Sequence, residues 1–464
     1  MRRRVLLIAP RENSCRETEM YPSGALVLIG SMLHQRGHEV SIVHMTADGV
    51  DAAGIAEKTR RFEPDIVGIT MNTFQTRSAR DVCRAIRGVD RHCLLVTGGP
   101  HPSALGLDLF KDFPELDVVV YGEGELTFLD IVQGGDLSEI KGICYNGRMN
   151  PPRPYAENLD HIPLPDLDLI GGLERFSAPD PVRVKPSMYI MASRGCPYQC
   201  TFCNKSVWGN RVRFRDPELV IREVQWLHEK YGVREIFFQD DTFNLNRAWA
   251  EKVLGLIVEK GMNRSILYRT PFRANEALLD EGLLDLARRA NFWLIFYGVE
   301  NGNQGMLDRM RKGLTVAEIE RAFRLTHQAG IKTYASIMVG NPGETSQTVA
   351  DSIELIRRIN PSYGGAAVAI PFPGTEFREE VLEKGHLLEP NYDAYEPSCC
   401  VIRTDALSRE EIIACHQRVN ELFHGRGKKK RNRVFRFFRR QSRRVMKAFQ
   451  RSPFRWNGKK SSRG

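Results

Sequence analysis

The chain has 464 residues, 42% of them hydrophobic and 27% charged, with a formal net charge of +10. That length exceeds one compact core, the composition is ordinary for a globular protein, and no apolar run approaches the roughly 18 residues of a membrane span. The charge sits in the tail: residues 425–464 hold 17 Lys and Arg and no acid, and the remainder has 50 basic against 57 acidic residues.

The opening Met-Arg-Arg-Arg followed by Val5–Ile8 looks like an export signal, but the apolar run is short and Pro10, Arg11 and Glu12 follow at once. It reads as the first buried strand of a cytoplasmic protein. In a reducing compartment the ten cysteines are not expected to form disulfides, and clustered ones more often bind metal. Cys15, Cys83, Cys93, Cys144, Cys399, Cys400 and Cys415 are scattered and read as free thiols in ordinary packing.

Residues 1–135 alternate short apolar runs with helical patterns. Strands are expected at Val5–Ile8, Val40–Val43, Ile66–Thr70, Leu94–Thr97 and Val118–Tyr121. Helices are expected at Ala25–Gln35, up to Phe62, at Arg77–Ile86 and near Leu105–Phe110. Fully apolar strands between amphipathic helices predict an α/β, doubly wound (Rossmann-like) domain with a parallel sheet. Such sheets bind ligands at the carboxyl ends of their strands. The loops there are Thr70–Thr76, Gly98-Gly99-Pro100-His101 and Tyr121-Gly122-Glu123-Gly124-Glu125. Thr73, Gly98, Gly99, Gly122 and Glu123 are candidate ligand contacts in these loops, with tight strand-to-helix turns as the alternative.

Residues 136–186 are crowded with prolines and read as an extended linker. From residue 187 to 400, six strand–helix units predict a partial (β/α)6 TIM-like barrel. Its strands are expected at Met188–Ala192, Glu235–Gln239, Ser265–Arg269, Phe292–Val299, Thr333–Val339 and Ala366–Ile370. Helix Pro217–Tyr231 has Asp216 as N-cap and Pro217 at its first position. Residues 401–424 form a C-terminal helix and 425–464 a basic tail.

The first barrel strand runs into Ser193-Arg194-Gly195-Cys196-Pro-Tyr-Gln-Cys200-Thr-Phe-Cys203. Three thiolates on one short loop suit an iron–sulfur cluster, whereas structural zinc would need a fourth ligand nearby. The next cysteine is Cys399, and no histidine follows before His228. The CxxxCxxC spacing with Phe202 before the last cysteine resembles the signature of the radical S-adenosylmethionine (SAM) superfamily. The resemblance implies a 4Fe–4S cluster on Cys196, Cys200 and Cys203, with one iron left to chelate SAM. Asp240 and Asp241 after the second strand stand where relatives engage the SAM amino group, with helix capping by Asp241 as the alternative. Gly298-Val299-Glu300-Asn301 resembles the motif whose acid meets the SAM ribose, with Asn301 in place of serine. Gly340, Pro342 and Gly343 match the family's adenine-side turn, the alternative being a helix-initiating turn. The implied chemistry is reductive cleavage of SAM to methionine and a 5′-deoxyadenosyl radical, which abstracts hydrogen from an unactivated carbon.

The order of doubly wound domain, Pro-rich segment and radical SAM barrel is similar to that of cobalamin-binding radical SAM proteins. Tyr21–Ala25, His38–Val40, Gly98–His101 and Tyr121–Glu125 carry that resemblance. It implies cobalamin as a further cofactor and methyl transfer to an unactivated carbon or to phosphorus. Cyclisation or ring rearrangement without methyl transfer is the alternative, and a non-catalytic iron–sulfur or cobalamin-binding regulator the second. The Asp-x-His-x-x-Gly motif that supplies a cobalt ligand elsewhere is missing, and His101 reads as structural. A tRNA methylthiotransferase is disfavoured, since Cys15, Cys83, Cys93 and Cys144 are not placed like that group's extra ligands.

Such an enzyme implies a small-molecule or lipid substrate and an external one-electron reductant of the flavodoxin or ferredoxin type. Between 433 and 449, Val434, Phe435, Phe438, Val445, Met446 and Phe449 fall on one helical arc and Arg433, Arg436, Arg439, Arg440, Arg443, Arg444 and Lys447 on the opposite one. That pattern suits an anionic membrane surface at the inner face of the membrane, with nucleic acid as the weaker alternative.

Overall fold

The computed structural model describes residues 2–12, 20–160, 162–179, 181–397 and 399–424. The tail, with the amphipathic pattern at 433–449, and Cys15 lie outside the described residues.

The first sheet has seven strands: β1 (Arg4–Ala9), β2 (Glu39–His44), β3 (Ile66–Thr70), β4 (Leu94–Gly98), β5 (Val118–Val120), β6 (Ile143–Tyr145) and β7 (Arg148–Met149). Their spatial order is β2-β1-β3-β4-β5-β6-β7, parallel through β5 and antiparallel beyond it. Helices α1 (Gly24–Gln35), α2 (Ala52–Phe62), α3 (Thr76–Arg87), α4 (Pro100–Leu105), α5 (Leu109–Asp112) and α6 (Glu125–Val132) cover its faces. Strand alternation sends β1 into two cores: Leu6 and Ile8 pack with α2 and α3, whereas Val5, Leu7 and Ala9 join a core that continues into the second domain. The helix expected near Leu105–Phe110 is instead two short helices, α4 and α5, around a 3₁₀ turn at Gly106–Asp108. The segment read as linker from 136 begins as the hairpin β6–β7 on the sheet edge, because Ile143 and Cys144 are apolar enough to be fully buried there.

The second sheet is the half-closed barrel: β8 (Ser187–Ile190), β11 (Glu235–Phe238), β12 (Leu267–Phe272), β13 (Phe292–Glu300), β14 (Lys332–Val339) and β15 (Tyr363–Val368). All are parallel, each beside its predecessor. Between β8 and β11, β9 (Ser193–Arg194) and β10 (Arg213–Phe214) pair antiparallel. The helices are α7 (Pro217–Tyr231), α8 (Arg247–Glu259), α9 (Glu281–Arg289), α10 (Gln304–Arg309), α11 (Val316–Gln328), α12 (Ser346–Ile359), α13 (Glu376–Glu383) and α14 (Arg409–His424). α7 starts on the Asp216 side chain and closes at Gly232 in the left-handed conformation, as its caps dictate.

Two strands are displaced from their expected positions. β12 continues past Arg269 through Pro271, which pairs with Phe296 despite lacking a donor. β15 starts earlier, through Gly364 and Gly365. A side chain at Gly364 would overlap Phe423 of α14, so these glycines serve close packing rather than a turn. Asn420 accepts from Ala366 N at 2.9 Å and donates to Ala366 O at 3.1 Å, while His416 Nε2 meets the same carbonyl at 2.9 Å. The outward backbone groups of Ala366 on the edge strand are thereby satisfied by α14 and not by another strand. No described helix is long and apolar enough to cross a membrane.

Candidate active site

A cavity of about 580 Å³ runs between the two domains. One wall is the carboxyl end of the first sheet: Gly68 and Thr70 of β3, Gly98 at the end of β4 with Gly99 after it, and Gly122 to Glu125 between β5 and the start of α6. The facing wall is the mouth of the barrel: Cys196, Cys200, Cys203, Asp241, Glu300 and Lys312. Both sets stand at carboxyl ends of parallel strands, where helix-leading loops leave backbone and side chains free for ligands.

The three cysteines belong to a loop hung between β9 and β10. Gly195 has φ 87°, and a Cβ there would overlap the carbonyl oxygen of Arg211, so the return strand of the loop passes directly over it. The Cys200 thiol is lowered to about 6, first by a hydrogen bond from the Cys203 thiol and, against burial, by Lys312 and Arg273. Cys203 is shifted up as the partner that keeps the proton. Lys312 and Arg273 beside the loop favour the thiolate, which is the metal-binding form. Among the described residues no three His, Cys, Asp or Glu side chains close on a single point as a bare-ion site would need. The three cysteines line one cavity from one short loop, the donor set and spacing that a cubane iron–sulfur cluster takes.

Glu300 ends β13 with φ 62°, left-handed for a non-glycine residue, a strain of order 1–3 kcal/mol that marks functional sites. Its Oε1 accepts from Lys312 Nζ at 2.9 Å, and both side chains are about nine-tenths buried. Burial works against the Lys312 charge, but Glu300 and Cys200 beside it hold its pKa above the ordinary range. Gly298 leaves room for this pair: a Cβ there would overlap Glu300 Oε1 and come within 2.8 Å of Lys312 Nζ.

The other expected contacts divide. Asp241 lines the cavity, its pKa raised by burial against the opposing pull of Lys205 and the Gly195 N–H. It caps no helix, since Asn246 does so for α8. Asp240 turns away from the cavity and binds the Ser193 hydroxyl, 2% exposed, with burial raising it to about 7. It holds the leg of the cysteine loop. Phe202 does not line the cavity either and packs under Lys312, whose Nζ is 5.8 Å from the ring centroid.

Gly340, Pro342 and Gly343 lie outside the cavity lining. A Cβ at Gly340 would meet Ile412 of α14 at 3.1 Å, and one at Gly343 would meet Arg309 at 3.1 Å. The turn is fixed by Glu344, 1% exposed, which accepts from Gly340 N and from Asn301 Nδ2. Packing thus explains these glycines without a ligand.

In the first domain, Gly98, Gly99 and Gly122 line the cavity with bare backbone. Gly99 is required by φ 118° and by the Met71 carbonyl 2.7 Å from where a Cβ would sit. Thr73 is off the cavity, because its hydroxyl meets His101 Nδ1 at 3.1 Å. His101 is 1% exposed with its pKa lowered to about 3 by burial, and its ring stands edge-on to Tyr392. None of the described residues lining the cavity is histidine, so a corrinoid there would take no histidine ligand from this lining. Backbone-walled strand ends with no side chain at Gly98, Gly99 and Gly122 fit the broad face of such a ligand.

Glu123 reaches the cavity, yet both its oxygens are engaged: Oε1 by Arg194 Nη1 at 3.0 Å, Oε2 by Arg213 Nη1 at 2.9 Å. Glu123 thus presents to the cavity a carboxylate already paired with two arginines. Arg194, Arg213 and Lys312 were not legible as site residues, since single charges at unremarkable spacings carry no motif, and Glu125 was legible only as part of its loop.

Comparisons with known proteins agree with this geometry. The radical SAM superfamily model matches residues 190–356 and the B12 binding domain model residues 13–132. An uncharacterized methyltransferase of Pyrococcus horikoshii is 31% identical over 421 residues, 88% of this chain and 90% of that protein. The anaerobic magnesium-protoporphyrin IX monomethyl ester cyclase of Rubrivivax gelatinosus is 27% identical, covering 88% and 75%. The radical SAM methyltransferase TsrM of Kitasatospora setae, solved with cobalamin and a [4Fe-4S] cluster, superposes with TM-score 0.70 at 21% identity, over 91% of this chain and 85% of that one. A thiol-lined barrel mouth facing a B12-type sheet across one cavity, with both family models matched in that order, means that the chain belongs to the cobalamin-dependent radical SAM methyltransferase family.

Proposed function

We propose that this enzyme methylates an unactivated carbon of a small-molecule substrate held in the cavity between the two domains. The observation that carries the reading is the continuity of that cavity from Gly98, Gly99 and Gly122 to Cys196, Cys200 and Cys203. A 4Fe–4S cluster, SAM and cobalamin, when bound, supply an electron, a hydrogen-abstracting radical and a transferable methyl group.

The chain's own residues would do the positioning. Cys196, Cys200 and Cys203 are the cluster ligands in this reading, with Lys312 and Arg273 favouring the thiolate form at Cys200. Asp241 and the Glu300–Lys312 pair face the same space and offer acceptors and a cation to the polar ends of SAM. Apolar lining from Leu7, Val96, Val120 and Phe128 keeps water from the inner end of the cavity, where a reactive radical must be shielded. An external one-electron reductant of the flavodoxin or ferredoxin type completes the scheme. Residues 433–449 would bring the enzyme to an anionic membrane surface, which suits a lipid substrate; that part rests on the sequence pattern.

Oxidative ring closure without methyl transfer is the second reading, favoured by the likeness to the Rubrivivax cyclase. The products separate the two. Loss of the methyl group leaves S-adenosylhomocysteine, and radical generation leaves 5′-deoxyadenosine. Anaerobic enzyme supplied with SAM, cobalamin and reductant is expected to form both, and Cys196→Ala neither by the radical route. Deoxyadenosine with no S-adenosylhomocysteine would favour ring closure, and deoxyadenosine persisting in Cys196→Ala would refute the cluster assignment.

A further inference from the structure

The loop that carries the three cysteines is tied to the first domain by four charges. Arg194 precedes Gly195 and Cys196 on one leg; Arg213 stands on the other. Glu123 binds both arginines, and Glu125 binds Arg194 Nη2 at 2.5 Å. All four side chains are at most 13% exposed. The connecting segment adds to the clamp: Ala156 N donates to Glu123 Oε2 at 3.2 Å, and Ala156 O accepts from Arg213 Nη1 at 2.9 Å. The Tyr155 ring lies under the Arg213 guanidinium at 4.9 Å, and its hydroxyl would be 2.8 Å from a Cβ at Gly209.

The geometry of this network has a consequence. Glu123 and Glu125 are carried on the loop after β5, which also presents Gly122 and Gly124 to the cavity. No Cβ blocks a ligand from this backbone; one placed at Gly122 would meet nothing within 4 Å. A ligand resting on these glycines therefore touches the same few residues that grip both legs of the cysteine loop. Buried pairs of this kind are stiff, because separating them leaves a desolvated charge without a partner. Burial opposes ionisation of Glu123, yet the two guanidiniums hold its carboxyl below the ordinary range, so the network stays charged at neutral pH.

We propose that Glu123 is a positioning residue that couples the two cofactor sites: occupancy of the first domain by a corrinoid sets the order of the loop holding Cys196, Cys200 and Cys203. The proposal rests on the functional reading above. It adds that the family's Gly-Glu-Gly-Glu stretch acts in this chain on the cluster side of the cavity, through Arg194 and Arg213, and not as a cofactor ligand. The two sites then communicate through a contiguous set of bonds, and the coupling is reciprocal by thermodynamic necessity.

Amide hydrogen exchange of residues 195–212 in cluster-loaded protein, with and without hydroxocobalamin, tests it. In the wild type, corrinoid is expected to slow exchange of this segment by about five-fold or more, the low end of ordinary coupling between sites. In Glu123→Gln this response should be lost while corrinoid uptake, read by absorbance, persists. The double variant E123Q/R213Q removes the pair together, leaves no unmatched Arg213 charge, and should behave in the same way if the single variant folds poorly. An unchanged corrinoid response in these variants, or none in the wild type with corrinoid bound, would overturn the coupling. Failure of the wild type to take up corrinoid at all would overturn the functional reading and the coupling together, and absorbance distinguishes that case.

Discussion

At the scale of single residues, the site depends on charges placed where water is scarce. Asp240 shows the principle most simply. Burial raises its pKa to about 7, against about 3.9 for an unperturbed aspartate. Folding therefore takes up a proton between those values. The stability this group contributes is full below the unfolded value and is lost as pH rises through the folded one. Asp240→Asn removes the titration and keeps a partner for Ser193. The melting temperature of the variant minus that of the wild type should increase from about pH 5 to about pH 8, and a difference independent of pH would contradict the assignment. Lys312 and Glu300 form the second such group, a buried pair whose members are 12 positions apart in sequence. Glu300 was legible from its motif; Lys312 was not, because its role arises from the path of α10 back to the barrel mouth. The same limit applies to Asp240 and Asp241: adjacency in sequence made them look equivalent, but the loop after β11 turns one toward Ser193 and the other to the cavity.

At the scale of elements, strands and capped helices were mostly readable, because alternating apolar runs and caps are local signals. Asp216, Pro217 and Gly232 fix α7 wherever it packs. The misplaced ends have identifiable causes. Pro271 hides the continuation of β12, and Gly364-Gly365 looks like a turn until α14 is seen to lie against it. The hairpin β6–β7 was hidden by prolines that follow it. The cysteine loop is the element on which activity turns, and its geometry depends on one glycine. Gly195→Ala would place a methyl group against the Arg211 carbonyl at a φ that disfavours alanine, so the return strand must shift. Iron content after anaerobic reconstitution is expected to fall to a small fraction of the wild-type value. Full iron incorporation in that variant would show that the loop tolerates another path.

At the scale of the whole molecule, two domains that each bind ligands at strand ends are packed with those ends facing. The face of the first sheet that carries Val5 and Leu7 shares its core with the barrel residues Met188 and Ile190, so the two are not beads on a string. This arrangement was legible as domain order but not as orientation, since no local signal says which way two sheets will face. The charges joining them, Glu123 and Glu125 to Arg194 and Arg213, are separated by 69 to 90 positions and become partners only in the fold. The central claim is that cluster and corrinoid occupy one cavity. Electron paramagnetic resonance of anaerobic enzyme carrying both a reduced cluster and Co(II) cobalamin tests it most directly. Two paramagnets within one cavity should interact, broadening or splitting both signals relative to samples holding either centre alone. Two unperturbed spectra that simply add, with both centres present in full, would contradict the account.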